Sequence, residues 1–401
     1  MSKDRRTDEL DPFGRGVPQA GVRIANERAV LTLITLAPGS SNADLARRSG
    51  LGPQTTSRII TDLEERGLIV RGQLLRGRRG QPATPWFLNP LGAYCFGVEI
   101  GWRHLQIALI DLTGTVLASE SLPHAFPDAT TIFTEIAARI EAMTAALTPQ
   151  QRQRIIGAGV ATPTAIGRNT EVLGHPEQRA LWEAIDIPAR IAADTGLATD
   201  RFNDGTAACW AEIIAQPEPR PRGFAYFHVG AYIGAGIIAD GHLWEGPTGN
   251  AANLGGIMVH DRHGKPSFVH WLASITAFEA WLRAAGVTPP AGSPQHWDWA
   301  ALEPHAGAWL DDAGRALAQA TMTAQAMVEL DRASIDGVMP RPVVEHLLTR
   351  VQHHLEQLPV LRLGHPVVTI GHLGAFAAAK GAAMLPIYKR YFSRAWTDFD
   401  A

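Results

Sequence analysis

The sequence predicts an α/β protein with a small, mainly helical module at its N-terminus. Three short helices and a hairpin are indicated between Asn26 and Pro90, and strands alternate with helices from Ala93 onward. Charge follows the same division: residues 1–90 contain fourteen Lys or Arg and nine Asp or Glu, whereas the remainder contains 22 basic and 30 acidic residues. A basic module on an acidic body indicates a polyanionic partner for the module, the alternative being ordinary solvated charge.

The composition limits the classes of protein to which the chain can belong. The 401 residues are 46% hydrophobic and 19% charged, which predicts two or three domains with sizeable cores and argues against a disordered chain. The two cysteines, Cys95 and Cys209, are too few for a disulfide framework and fit a reducing compartment. The first residues have no apolar leader, and no stretch of about 18 uncharged apolar residues follows. We therefore expect a cytoplasmic protein without a membrane span.

The N-terminal module has the outline of a winged helix-turn-helix. Residues 1–22 are polar with little periodicity and are expected to form a flexible arm, and residues 23–90 form the module itself. Apolar residues at 30–34 mark the first helix, and Ser40-Ser41-Asn42 supplies capping side chains for the second. A third helix is predicted from Pro53 to about Arg66, followed by a hairpin.

This outline makes the module a candidate for binding DNA. A third helix of this kind enters the major groove, where short donors and acceptors and one Arg suit base edges and phosphates. The Arg-rich hairpin loop can reach the minor groove, the alternative being a solvated hairpin with ordinary surface Arg. The candidate DNA contacts are Gln54, Thr55, Thr56, Ser57, Arg58, Arg76, Arg78 and Arg79.

The remainder resembles the ROK family of repressors, open reading frames and sugar kinases. The resemblance is carried by GVEIGWRHLQIALIDLTG, NDGTAACWAE, GAYIGAGIIADGHLWEG and KGAAMLPIYKRYF, in this order, while the N-terminal module and the link GRRGQPATPWFLNP resemble the repressor branch. It implies that residues 91–401 form a two-lobed, actin-like ATPase fold with an effector in the cleft between lobes. Similar glycine-containing hairpins at 97–114 and 230–241 independently suggest two related halves.

The resemblance also argues against kinase activity. Kinase members carry Asp-x-Gly-Gly-Thr and Gly-Thr-Gly loops, where glycine lets backbone N–H groups reach phosphate. Here Trp102 and Arg103 replace the end of the first loop, and Ala231 and Tyr232 replace the end of the second. Asn203 and Asp204 match the family's Asn-Asp pair, with Asp204 at the catalytic-base position, and Gly234 and Gly236 of the second loop remain. We therefore expect no enzyme activity, no catalytic residues and no cofactor.

A sugar-binding role for the cleft remains. The family positions that hold sugar hydroxyls correspond here to polar side chains that still form hydrogen bonds. The resemblance thus implies an effector site for a sugar or sugar derivative, with candidate residues Asn203, Asp204, Asn253 and His270. The family's zinc-binding cysteines correspond to Asp261, His263 and Phe268, so no metal site is expected.

Together these inferences give a functional hypothesis. The chain is expected to be a transcriptional regulator, a repressor of carbohydrate uptake or metabolism genes that a sugar releases from its operator. It would bind a palindromic double-stranded site as a homodimer or homotetramer, with no membrane partner. Two alternatives remain: an ATP-dependent sugar kinase that also binds DNA, and a DNA-binding regulator controlled by a protein partner.

Overall fold

The computed structural model describes residues 19–73, 84–170, 174–360 and 364–393. It contains a helical N-terminal domain followed by two lobes, each built on a mixed five-stranded sheet. The predicted fold class is confirmed. None of the helices in the described ranges is long and apolar enough to cross a membrane.

The N-terminal domain has three helices and a two-stranded antiparallel hairpin, as predicted. Ser41 and Asp44 form a capping box at the start of the second helix, and Gly50 ends it with a φ of 68°. The first helix begins at Gln19, so the last four residues of the predicted flexible arm are helical. The elements are α1 (Gln19–Leu36), α2 (Asn42–Ser49), α3 (Pro53–Glu65), β1 (Ile69–Arg71) and β2 (Trp86–Leu88).

The first lobe follows directly. Its sheet has the strand order β5-β4-β3-β6-β7, with β3 antiparallel to β4 and parallel to β6. Its strands are β3 (Tyr94–Ile100), β4 (His104–Asp111), β5 (Val116–Pro123), β6 (Ile155–Thr162) and β7 (Thr199–Asn203). Its helices are α4 (Ile132–Ala145), α5 (Pro149–Arg152), α6 (Ile166–Asn169), α7 (Gln178–Glu183) and α8 (Ile187–Thr195).

The second lobe repeats this topology. After α9 (Asp204–Ala215), its sheet has the order β10-β9-β8-β13-β14, with the same sequence of antiparallel and parallel pairs. The predicted relationship between the halves is therefore visible in the strand order. The remaining strands are β8 (Phe224–Val229), β9 (Ile233–Ala239), β10 (His242–Leu243), β11 (Met258–His260), β12 (Pro266–Phe268), β13 (Arg332–Gly337) and β14 (Val367–Ile370). The remaining helices are α10 (Val269–Ala273), α11 (Ile275–Ala284), α12 (His305–Val328), α13 (Arg341–Gln357) and α14 (Ala377–Tyr391).

Two helices cross between the lobes and pack on each other. Helix α9 leaves the first lobe and lies on the second sheet, while α14 leaves the second lobe and lies on the first sheet. Their contact is close because it uses small residues: a Cβ added to Gly381 would lie 1.8 Å from the carbonyl oxygen of Ala207. A Cβ on Gly97 would similarly meet the Ala379 carbonyl oxygen at 1.9 Å. Backbone therefore packs against backbone at the junction of the lobes.

The end of α14 also contacts the N-terminal domain. The Arg28 guanidinium on α1 donates to the carbonyl oxygen of Lys389 at 2.7 Å, in the last turn of α14. The backbone N–H of Ser393 donates to the Thr32 hydroxyl at 2.9 Å. A cation at the C-terminal end of a helix satisfies carbonyls that have no partner within the helix. The N-terminal domain is thus joined to the rest at α14 as well as through the chain at 89–93.

Candidate functional site

The first turn of α3 presents polar side chains to solvent. Gln54, Ser57 and Arg58 are exposed, and Thr55 is partly exposed. Pro53 occupies the first helical position, where its missing N–H leaves no bond unmade. This turn therefore offers amide, hydroxyl and guanidinium groups on one surface of the domain.

The other predicted DNA-contact residues have different placements. Thr56 is fully buried, and its hydroxyl donates to the carbonyl oxygen of Gly52 at 3.2 Å. It faces the domain core, so it has no exposed group to offer a base. Arg76, Arg78 and Arg79 lie outside the described residues. Arg71, which precedes them on β1, forms two hydrogen bonds to the Glu64 carboxylate, at 2.7 and 2.9 Å.

Asn203 and Asp204 lie where β7 ends and α9 begins. The Asn203 side chain caps α9, because its Oδ1 accepts from the backbone N–H of Thr206 at 3.1 Å. Its Nδ2 donates to the Thr164 hydroxyl at 3.1 Å, and that hydroxyl donates to Asn250 Oδ1 of the second lobe at 2.9 Å. Asn203 thus lies beside a direct contact between the lobes.

Asp204 belongs to a group of titratable side chains at the base of the cleft. Burial, together with the nearby Glu99 carboxylate, raises the pKa of Asp204 to about 6. His104 Nε2 lies 3.1 Å from Glu99 Oε1. Burial by itself would lower the pKa of His104, but Glu99 and Asp204 raise it above the usual value. Glu99 and His104 were not predicted as site residues.

The second lobe adds His228 and Asp336 to this group. The Asp336 carboxylate accepts hydrogen bonds from the backbone N–H groups of Gly374, at 2.7 Å, and Gly337, at 2.9 Å. These N–H groups could bind an anionic ligand, but they are already bonded to a carboxylate of the protein. Burial lowers the pKa of His228, although Asp336 and Glu99 oppose the shift. We call these five side chains the cleft cluster: Glu99, His104, Asp204, His228 and Asp336.

Asn253 and His270 form a second pair, on the second lobe. His270 Nδ1 accepts the backbone N–H of Ile233 at 3.1 Å, and burial lowers the pKa of His270 to about 4. Both side chains adjoin the turn at 254–256: a Cβ on Gly255 would lie 2.3 Å from the His270 ring, and one on Gly256 would lie 2.9 Å from the Asn253 amide. In the described ranges, no hydrogen bond joins this pair to Asn203 or Asp204.

The hairpin turns of the two lobes meet above the cleft. Arg103, in the β3–β4 turn, forms two hydrogen bonds to the Glu279 carboxylate of α11, at 2.5 and 2.8 Å. The Trp102 ring contacts Tyr232, in the β8–β9 turn, edge to face with a centroid separation of 5.7 Å. Tyr232 in turn contacts the His270 ring at 5.9 Å. We call Trp102, Arg103, Tyr232 and Glu279 the lobe clasp, because these residues join the first lobe to the second.

The hairpin of β11 and β12 carries the positions that correspond to the family's zinc ligands. The Asp261 carboxylate accepts the backbone N–H groups of His263 and Lys265, at 2.8 and 2.9 Å, and closes the turn. Across the parts of the chain that the structure describes, no three His, Cys, Asp or Glu side chains are grouped so that they could hold a metal ion.

The duplicated lobes, the crossing helices and the polar cleft define an actin-like sugar-kinase fold joined to a winged helix-turn-helix. A model of the ROK family matches residues 95–388, and a model of winged helix-turn-helix DNA-binding domains matches residues 25–70. This chain belongs to the ROK family.

Individual relatives agree with this assignment. The y4fQ protein of Sinorhizobium fredii is 27% identical over 381 residues, which span 92% of each chain. The xylose repressor of Bacillus spizizenii is 24% identical over 60% of this chain and 62% of its own. In fold, the chain resembles the crystal structure of a ROK family transcriptional regulator, a homologue of the Escherichia coli Mlc protein, with a TM-score of 0.66 and 22% identity over 94% of this chain and 97% of that one. A ROK glucokinase from Streptomyces griseus shares the fold of the lobes, with a TM-score of 0.56 and 18% identity over 73% of this chain and 99% of the enzyme.

Proposed function

We propose that this protein is a sequence-specific DNA-binding transcriptional regulator, a repressor of carbohydrate uptake or metabolism genes that a sugar or sugar derivative releases from its operator. The observation that carries the proposal is the physical connection between two sites. A winged helix-turn-helix with an exposed polar first turn on α3 is fastened to α14, and α14 packs along α9, whose first residue is Asp204.

In this proposal the effector binds between the lobes. The proposed effector residues are Asn203, Asp204, Asn253 and His270, which provide carboxylate, amide and imidazole groups for sugar hydroxyls. Asn203 and Asp204 follow the last strand of the first lobe, and Asn253 and His270 belong to the second, so an effector that touches all four favours one arrangement of the lobes. A hundredfold loss of operator affinity requires about 2.7 kcal/mol of coupling between the sites.

Residues 23–90 are assigned the DNA-binding role and residues 91–401 the effector role. Gln54, Thr55, Ser57 and Arg58 are the proposed contacts in the major groove, and Arg76, Arg78 and Arg79 the proposed contacts of the wing. A homodimer or homotetramer would place two such domains on a palindromic operator, so that the symmetry of the DNA matches that of the protein.

Two features support a binding role over phosphoryl transfer. The loops that cradle phosphate in the family's kinases are replaced here by the lobe clasp, in which Trp102 and Tyr232 bring rings where glycine would allow close backbone approach. Arg103 is already paired with Glu279. Asp204 alone can accept a hydroxyl proton, but phosphoryl transfer also requires positioned phosphates. Incubation with ATP, magnesium and the inducing sugar should therefore give no sugar phosphate; its formation would favour the bifunctional kinase.

The proposal is tested in two stages. Random-sequence duplexes selected on the full-length protein should converge on one palindromic site, and fluorescence anisotropy should then show that a sugar weakens binding to that site. The Asp204→Asn variant should keep operator binding and lose the sugar response, whereas Asp194→Asn, an exposed aspartate on α8, should keep both. Failure to select any site, or full induction of Asp204→Asn, would contradict the assignment. Operator binding that no sugar changes would favour control by a protein partner.

A further inference from the structure

We propose that the cleft takes an uncharged or amine-bearing polyhydroxy effector and rejects the phosphorylated form of the same sugar. The inference rests on the proposed function and names the charge class of its effector. Two independent sets of contacts carry it: the pairing of Arg103 in the lobe clasp, and the excess of carboxylates in the cleft cluster.

The first set concerns Arg103, the cation in the turn that corresponds to the first phosphate loop of the family's kinases. Arg103 is placed in the β3–β4 turn, where a guanidinium could bind a phosphate through two parallel hydrogen bonds. Both bonds are instead made to Glu279, whose side chain is only 5% exposed. An incoming phosphate would have to displace this buried carboxylate from Arg103 and leave it with the longer contact to Arg283, at 3.4 Å, which is costly. The Trp102 ring, 8% exposed, adds an apolar wall beside the pair.

The second set concerns charge at the base of the cleft. Glu99, Asp204 and Asp336 are carboxylates contributed by three different elements, and Glu99 and Asp336 are 7% and 5% exposed. Among the described residues, the charged groups close enough to Asp204 to affect its pKa are Glu99 and His104. His104 is already paired with Glu99, and burial lowers the pKa of His228. Three carboxylates against two imidazoles make the cluster acidic.

These contacts discriminate between ligands that differ only in charge. A sugar hydroxyl can donate a hydrogen bond to a carboxylate without bringing a like charge near it. A protonated amine forms a stronger, charge-assisted hydrogen bond to the same carboxylate. A phosphate dianion in the same cleft faces like charges in a medium less polar than water, and its usual donors are already bonded to Asp336 and Glu279. We expect the phosphorylated sugar to bind at least a hundredfold more weakly than the parent sugar.

Isothermal titration calorimetry on the full-length protein tests this with matched ligands. The probes are four matched pairs: xylose, glucose, glucosamine and N-acetylglucosamine, each with its phosphate ester (the 5-phosphate of xylose and the 6-phosphates of the other three). The expected result is that a sugar or amino sugar binds and that its phosphorylated counterpart is at least a hundredfold weaker. Equal or tighter binding of a phosphorylated sugar would overturn the inference and leave the proposed sugar response intact. Binding of none of the probes would count against the proposed effector site and, with it, this inference.

A variant separates the role of Arg103 from a general loss of structure. Glu279→Gln preserves the shape of the clasp but removes the charge that neutralises Arg103. It should improve the affinity for the phosphorylated sugar about tenfold and change that for the parent sugar less than twofold. Glu345→Gln, at an exposed pair with Arg341 on α13, is the matched control and should change neither. Unchanged discrimination in Glu279→Gln would overturn the role assigned to the Arg103–Glu279 pair.

Discussion

The lobe clasp should contribute measurably to stability, and a double-mutant cycle isolates its ionic part. The perturbation is Arg103→Ala, Glu279→Ala and both together. The cycle removes the direct effect of each truncation and leaves the interaction between the two side chains. Since the Arg103 and Glu279 side chains belong to different lobes, that interaction reports on the contact between lobes.

The magnitude follows from geometry and burial. Two unit charges about 4 Å apart interact by about 4 kcal/mol at an effective dielectric constant of about 20. Because the Arg103 side chain is 36% exposed, solvent screening reduces this, and we expect a coupling energy of about 2 kcal/mol. Arg103→Ala alone should cost about 3 kcal/mol, since it leaves buried Glu279 with the more distant Arg283, at 3.4 Å, as its remaining ion-pair partner in the described part of the chain.

Thermal unfolding of the four proteins provides the assay. One kcal/mol shifts the Tm of a domain of 150–250 residues by about 2–4 °C, so Arg103→Ala, at about 3 kcal/mol, should unfold about 6–12 °C lower. The double variant should be less destabilised than the sum of the two single variants, and the difference should equal the coupling energy of about 2 kcal/mol. The same cycle at Arg341 and Glu345, an exposed pair within one helix, should give no measurable coupling. An equally small coupling at the clasp would refute the reasoning.

Three further predictions concern the cleft, the crossing helices and the junction with the N-terminal domain. The pKa of Asp204 is raised from 3.8 to about 6, so the folded state binds this proton more tightly. The free energy of unfolding should therefore fall by up to about 3 kcal/mol as pH rises from below 4 to above 6, and Asp204→Asn should flatten that part of a Tm-against-pH curve. Gly381→Ala places a methyl group against the Ala207 carbonyl and should destabilise the protein by about 3 kcal/mol in thermal unfolding. Gly364→Ala, where an added Cβ has nothing within 4 Å, should be nearly neutral, and equal effects of the two variants would contradict the packing argument. Arg28→Ala should increase hydrogen exchange in the last turn of α14 and weaken the sugar response more than operator binding, and an unchanged response would remove this contact from the coupling route.

The N-terminal domain could be predicted in detail because its signals are local. The second helix carries its own capping box at Ser41 and Asp44, and the third starts with Pro53. Each of these signals acts within a few residues of the boundary it sets. Thr56 shows the limit of such reasoning: a polar residue in the first turn of a recognition helix was expected to face DNA, but it lies on the side of α3 that packs on the core.

The segment that forms α14 was identified from its resemblance to a family motif, and its residue pattern did not predict a helix. Six of its 15 residues are alanine or glycine, and Pro386 lies within it. Because small residues on opposite sides pack against α9 and against the first sheet, the helix has no apolar stripe with a helical period. The proline removes one internal donor, which sequence reasoning takes as a helix end.

The site was only partly predictable for a different reason. Asp204 and Asn203 were identified as family positions, and the structure places them at the lobe junction. The pairing of Arg103 with Glu279 joins residues 176 positions apart, and it depends on how the lobes close. Glu99 was visible only as a carboxylate within the apolar run CFGVEI, which signals a buried acid without indicating its partner.

Contacts at separate places limit how the N-terminal domain can move. A body held at one point can swivel in any direction, whereas a body held at three points that do not lie in line moves only with its support. Here one point is the chain at 89–93, and a second is the hydrogen bond from the Arg154 guanidinium to the Gly67 carbonyl oxygen, at 3.4 Å. A third is the contact of Arg28 and Thr32 with the end of α14, more than 290 residues further along the chain. As long as these contacts hold, the recognition helix moves with the lobes. In a symmetric pair of chains, the arrangement of the lobes would then set the distance between the two recognition helices.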